Sequence, residues 1–498
     1  MGLIIGYCCW VLVGIVSGWI WYWKMKKKME DKYGVPKGNL GWPFIGETLD
    51  FIASGYTSRP VNFMDKRKSL YGKVFKTNIL GTPIIVSTDP DVNKVVLQNH
   101  GNTFVPAYPK SIRELLGKSS ILQINGNLQR RLHALLGGFL RSPQLKSRIT
   151  KDIENSVKLT LSSWRHMNNN LVYVQEETKK ITFQILVKVL MSIGPGDDLN
   201  SLKKEFEEFI KGLICLPIKL PGTRLYKSLK AKEKMLKIVN RIVEERKLEM
   251  EMMSDHGDDD HDHDQMSGAA NDVVDVLLRE YFVESNEKKS LPLDFIGGNI
   301  VEMMIPGEET VPMAMTLAVK FLSDSPVALK QLKEENMELK KQKIDSCDDY
   351  TWTDYTSLSF TQNVISETLR MANIINAVWR KALKDVEIKG YLIPQGWCVL
   401  TSFTSVHMDE ENYENPYLFD PWRWEKIGGG AVNNNNYTPF GGGQRLCPGL
   451  DLSRLEISIF LHHLVTTYGW FAEKDDIVHF PTVKMKKKLP ITVAPIRT

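Results

Sequence analysis

Cysteine is scarce and unpatterned in these 498 residues: there are six, at positions 8, 9, 215, 347, 398 and 447, with no paired spacing. A disulfide framework is therefore excluded, and a reducing compartment fits. An excess of one charge is lacking too, because 64 Lys+Arg against 59 Asp+Glu leave a net +5. Over this length that is too little to argue for a nucleic-acid partner. There is no internal repeat. A phosphate loop is also missing: Gly117-Lys118-Ser119 has Ile at position 112 where that motif needs Gly. With 43% hydrophobic and 25% charged residues, wholesale disorder, a collagen-like fibre and a polytopic membrane protein are excluded.

What is present begins with one long apolar run. Gly2 to Trp23 gives 22 positions without a charged side chain, enough at about 1.5 Å per residue to cross a hydrocarbon core of about 30 Å. Cations come after it, at Lys24, Lys26, Lys27 and Lys28, whereas a cleavable signal peptide carries them in front. The expectation is a single transmembrane anchor over 1–23, with the body held on the cytosolic side. A basic, Pro- and Gly-rich hinge over 24–45 separates it from the rest. Length alone would divide the remaining chain into two or three domains of ordinary size.

Residues 73–86 read as a hairpin turning at Gly81. Helical periods dominate 150–215, 228–253, 293–323 and 449–466, and short β signals return at 386–393 and 484–493. The expectation is a mainly α fold with small β-sheets. Asp255–Asp264 is acidic, contains three His and has no apolar residue, so it reads as a solvated loop rather than a metal site. The runs 428–430 and 433–436 read as connector.

The most informative stretch is Phe440-Gly-Gly-Gly-Gln-Arg-Leu-Cys-Pro-Gly449, ahead of an apolar helical run. Glycines let backbone approach a flat ligand, and a cysteine near a helix N-terminus is favoured as thiolate. Elsewhere, Glu367-Thr-Leu-Arg370 is an ordinary helical ion pair taken alone. Met303-Met-Ile-Pro-Gly-Glu-Glu-Thr-Val-Pro312 places two acids and an alcohol in an apolar helix. Such groups require pairing or a polar groove, and Pro306 and Pro312 predict kinks.

Together these stretches resemble the cytochrome P-450 family, whose Phe-x-x-Gly-x-Arg-x-Cys-x-Gly signature is matched by Phe440, Gly443, Arg445, Cys447 and Gly449. The resemblance implies a helix-rich triangular prism over 46–498 that binds haem b, with Cys447 as axial thiolate ligand to the iron. Arg445 and Arg380 would hold the haem propionates. Glu367, Arg370 and Arg423, the last from Asp420-Pro-Trp-Arg-Trp424, would lock the segment that shapes the cysteine loop. Glu309 and Thr310 would relay protons to dioxygen. Three positions depart from the wider family pattern. Pro306 and Val311 lie in the oxygen-side motif, and Gln129-Arg-Arg-Leu-His133 stands where Trp or His usually has Arg four residues later. There His133 would bond a propionate, with Arg130 or Arg131 as substitutes.

Within the family the chain is similar to plant microsomal steroid hydroxylases of brassinosteroid synthesis, through Leu40–Glu47, Ser58–Arg67, Phe104–Lys110, Gly117–Leu122, Leu216–Thr223 and Phe480–Lys486. The Met-Met-Ile-Pro-Gly and Gln-Arg-Arg-x-His stretches are similar to the subgroup acting at side-chain carbon 23. The resemblance implies an NADPH- and dioxygen-dependent monooxygenase of the endoplasmic reticulum membrane, fed by a flavoprotein reductase. Its expected substrates are 22-hydroxylated campestane-type steroids. Pocket walls are expected from Phe104–Leu116, Phe209–Leu220, Glu302–Pro312, Ile374–Val378 and Phe480–Val483. The alternatives are action at another steroid or triterpenoid position such as carbon 22, or a reductase-independent haem-thiolate isomerase or dehydratase.

Overall fold

The computed structural model describes residues 34–98, 102–166, 170–255, 270–285, 292–426 and 435–496, together with 10, 13, 14 and 16–21. Most of the apolar run, residues 24–33 of the hinge, the acidic stretch beyond Asp255, and 427–434 lie outside the described residues. Among the described residues no helix is long and apolar enough to cross a membrane.

The first sheet begins with β1 (Val74–Ile79) and β2 (Thr82–Ser87), paired antiparallel from Val74↔Ser87 to Ile79↔Thr82. Leu80 and Gly81 both take positive φ, 54° and 72°, the conformation that a two-residue hairpin turn needs to match strand twist. Three further strands complete the sheet: β3 (Phe104–Pro106), β5 (Ala377–Ala382) and β6 (Cys398–Ser402), in the order β1-β2-β6-β5-β3. Only β2 and β6 run parallel; β5 pairs antiparallel with both β6 and β3. All six residues of β1 are buried, so the alternation expected of a half-exposed strand is absent. A second sheet joins β4 (Leu171–Tyr173), β8 (Pro490–Pro495) and β7 (Tyr468–Ala472) in that order.

Helices make up the rest. In chain order the ones that matter to the site are α1 (Asn127–Arg141), α2 (Pro143–Ser163), α3 (Val174–Met191), α4 (Asp197–Ile210) and α5 (Arg224–Asp255). After them come α6 (Leu293–Met303), α7 (Pro306–Glu309), α8 (Val311–Asp324), α9 (Ser359–Ala372) and α10 (Leu450–Thr467). Ser142 caps α2, its Oγ accepting from the Leu145 amide at 3.3 Å, and Pro143 fits the first turn because no amide proton is needed there.

One apolar core gathers α2, α3, α8, α9 and α10, and a second gathers α1, α3, α4, α5 and α6. Helix α10 is buried almost all round, including Glu456, His462 and His463, as befits a central helix. The prolines do more than kink: Pro306 opens α7 and Pro312 sits in the first turn of α8, so the predicted single helix is three segments. Helix α3 reaches both breaks with hydroxyl donors. Thr182 Oγ1 donates to the Gly307 carbonyl at 2.6 Å and Thr178 Oγ1 to the Pro312 carbonyl at 3.1 Å.

Candidate active site

A cavity of about 350 Å3 lies between α1, α3, the α6–α8 segments, α9, β5 and the cysteine loop ahead of α10. Its lining is mostly apolar, and Cys447 opens into it beside Phe440, Gly441, Gly442 and Gly449. The loop is held by its own backbone: the Cys447 amide donates to the Phe440 carbonyl at 3.1 Å and the Leu446 amide to the Gly443 carbonyl at 3.1 Å. Gly443 serves a different purpose from Gly441 and Gly442. Its φ is 65° and a Cβ there would stand 2.1 Å from the Leu97 carbonyl oxygen, so it permits contact with a neighbouring helix and does not line the cavity. Burial pushes the Cys447 thiol up, against a smaller opposing hydrogen bond from Gly449. A metal cation bound at the sulfur would offset that burial and favour the thiolate.

Arg380 and Arg445 both line the cavity, and neither pairs with a carboxylate among the described residues. Arg380 donates to the Trp379 carbonyl at 3.0 Å, and Arg445 donates to the carbonyls of Leu122 and Ile124. Burial lowers both, and Arg445 is further depressed by Arg380, to about 10. Two guanidiniums that repel each other, Arg380 buried and Arg445 half-buried, call for a dianionic partner. A flat apolar body bearing two carboxylates, with a metal opposite a cysteine, meets every one of these features. Haem therefore fits these residues. Tyr108, close enough to act electrostatically on both arginines, also lines the cavity, as the expected wall Phe104–Leu116 has it.

His133, expected to face a propionate, has a loop carbonyl as its partner in this structure. His133 Nε2 donates to the Leu446 carbonyl at 2.6 Å, and one turn earlier Gln129 Nε2 donates to the Gln444 carbonyl at 3.1 Å. The i, i+4 pair thus clamps the backbone of the cysteine loop from α1 instead of facing the cavity. Arg130 bonds Asn127, and Arg131 pairs with Glu280.

Glu367, Arg370 and Arg423 come together. Arg370 makes a two-pronged contact with Glu367, Nε to Oε2 at 2.9 Å and Nη2 to Oε1 at 2.8 Å, while Arg423 Nε reaches Oε1 at 3.0 Å. The Trp424 indole and the Asp420 amide also donate to Glu367, at 3.1 Å each. Glu367 and Arg370 are 0% exposed, so full hydrogen bonding is what makes these charges tolerable.

On the opposite side of the cavity Thr310 lines the wall, its Oγ1 donating to the Pro306 carbonyl at 3.0 Å. Glu309 is half-buried and is not part of that wall. The buried acid is its neighbour Glu308, paired with Lys179 of α3 at 2.6 Å, and burial raises its carboxyl despite that cation. Of the expected pocket walls, Tyr108, Met303, Pro306, Gly307, Thr310, Val311, Ile374, Ile375 and Val378 contribute, whereas 209–220 and 480–483 do not. Phe209 packs on Phe206, and Phe480 on Phe51. The cavity instead takes Leu186, Val189 and Leu190 from α3, together with Glu456, whose carboxyl burial pushes up to about 8.

Fold and site together define a haem-thiolate protein with an apolar ligand chamber. The chain belongs to the cytochrome P450 family, whose profile matches residues 36–493. It is 67% identical over 493 residues to an Arabidopsis thaliana 3-epi-6-deoxocathasterone 23-monooxygenase, covering 97% of this chain and 91% of that one. A second enzyme of that description from the same plant is 51% identical, covering 94% and 93%. A cholesterol 22-hydroxylase of Paris polyphylla is 37% identical, covering 95% and 94%. Among solved structures, the retinoic acid bound cyanobacterial CYP120A1 superposes with a TM-score of 0.78 at 24% identity, covering 93% of this chain and 100% of that one.

Proposed function

We propose that this protein is a monooxygenase that hydroxylates carbon 23 of 22-hydroxylated campestane-type steroids in brassinosteroid synthesis. The observation that carries the reading is the 67% identity, over nearly the whole chain, to a 23-monooxygenase. Action at carbon 22 is the weaker reading, since the relative named for that position shares 37%. When bound, haem supplies the activation of dioxygen and the transfer of one oxygen atom to a C–H bond.

The chain's own residues do the rest. Cys447 provides the thiolate, and the Phe440 carbonyl, Gln129 and His133 hold its loop in place. Arg380 and Arg445 receive the two propionates. The apolar wall of Leu186, Val189, Ile374 and Val378 excludes water and accepts a sterol skeleton. Thr310 donates its hydroxyl to the Pro306 carbonyl at rest; to relay a proton from Glu309 it accepts one on its oxygen and turns its own hydrogen from that carbonyl to the cavity.

NADPH supplies the electrons through a flavoprotein reductase docking on the cysteine side, and the apolar run 2–23 anchors the protein in the endoplasmic reticulum membrane with its body cytosolic. The test is the product formed by purified protein with a plant reductase and NADPH on campestane-type steroids with and without a 22-hydroxyl. A new hydroxyl at carbon 23 on the 22-hydroxylated compound is expected. Oxidation elsewhere, or none, overturns the substrate assignment.

A further inference from the structure

His407 belongs to none of the motifs read from sequence, yet it joins two of them. It ends the short helix Phe403–His407, is 1% exposed and lines the cavity. The Thr438 amide donates to its Nε2 at 3.0 Å, and its Nδ1 lies 2.9 Å from Asn373 Oδ1. An amide N–H can only donate, so Nε2 carries the lone pair, and Nδ1 carries the proton it gives to Asn373. The Asn373 side chain is oriented independently, because its Nδ2 donates to the Met371 carbonyl at 3.2 Å. A second proton on the ring would set one N–H against another. Burial and nearby Arg370 oppose that protonation as well.

The main chain of the same residue faces the ion cluster: Arg370 Nη1 donates to the His407 carbonyl at 2.8 Å. Beyond Thr438 the path continues into the cysteine loop. The Thr438 carbonyl accepts from the Gly441 amide at 3.0 Å, and the Phe440 carbonyl accepts from the Cys447 amide at 3.1 Å.

We propose that His407 is a positioning residue for Cys447, a neutral imidazole that ties the Glu367–Arg370–Arg423 cluster to the loop carrying the thiol and sets that loop's geometry for haem. A histidine that merely filled space would be replaceable by any ring of similar size. His407→Phe keeps an aromatic ring and removes both side-chain bonds. His407→Gln restores an acceptor for Thr438 and a donor for Asn373. Asn373→Leu leaves the imidazole in place and frees its Nδ1 proton.

The readouts are haem loss from the holoenzyme to an excess of acceptor protein, and the carbon monoxide difference spectrum, which separates thiolate from thiol ligation. His407→Phe is expected to lose haem about 10-fold faster, the scale of effect when a group supporting a metal ligand is removed, with its spectrum shifted toward thiol ligation. His407→Gln is expected to recover most of both properties, and Asn373→Leu to fall between. Parental behaviour of His407→Phe, or a His407→Gln no better than it, overturns the proposal. Should His407→Phe fail to fold, Asn373→Leu decides: a shifted spectrum supports the bridge, and a parental one refutes it.

Discussion

The two sides of the cavity are built on opposite plans. On the cysteine side, Glu367 accepts from two arginines, an indole and a backbone amide, and every bond of the loop path is made within the protein. On the other side the helix is cut twice by proline, and α3 lends Thr178, Thr182 and Lys179 as donors to the Pro312 carbonyl, the Gly307 carbonyl and Glu308. The first arrangement holds a ligand in a fixed place. The second leaves a hydroxyl and a paired acid where protons have to move, a division that matches a haem fixed on one face and reacting on the other.

The sharpest break of this contrast is Cys447→Ala, which removes the axial ligand. Product formation is expected to vanish together with the thiolate-type carbon monoxide spectrum. Next is Glu367→Ala, which strands two buried guanidiniums at a cost of about 3–5 kcal/mol. Its thermal midpoint and haem content are expected to fall together. Thr310→Ala acts on the opposite face only: haem content and spectrum stay parental, while product turnover falls by about 100-fold. Undiminished product per NADPH would remove Thr310 from the proton path.

The smallest effect concerns Glu302, which accepts from Ser120 Oγ at 2.5 Å near the end of α6. Burial is the main cause lifting its carboxyl from an ordinary 4.5 to about 7. The folded chain thus keeps a proton that the unfolded chain releases from about 4.5 upward, so this group's contribution to stability falls as pH rises through that window. Glu302→Gln is expected to flatten that slope in thermal midpoints taken between pH 5 and 8; an unchanged slope would refute it.

Much of this was legible in the chain. Cys447, Arg445 and the Glu-x-x-Arg pair lie in short local patterns, and Pro306 and Pro312 announce their breaks through backbone chemistry alone. The strands β5 and β6 and the bridging role of His407 were not legible, because each depends on partners far along the chain: Ala377 on Ser402, Thr438 on His407. His133 shows the same limit. The sequence predicts a donor there, but which acceptor it finds is decided by how α1 lies on the cysteine loop. Glu308 and Glu309 are adjacent and alike in sequence; only the position of Lys179 on α3 distinguishes them.

The most direct test of the account is to supply isotopically labelled dioxygen to the purified protein with reductase and NADPH, and to locate the label in the steroid product. One labelled oxygen atom in the new carbon 23 hydroxyl is the predicted result. A product bearing oxygen from water, or one formed without reductase, would contradict it and return the protein to the isomerase or dehydratase reading.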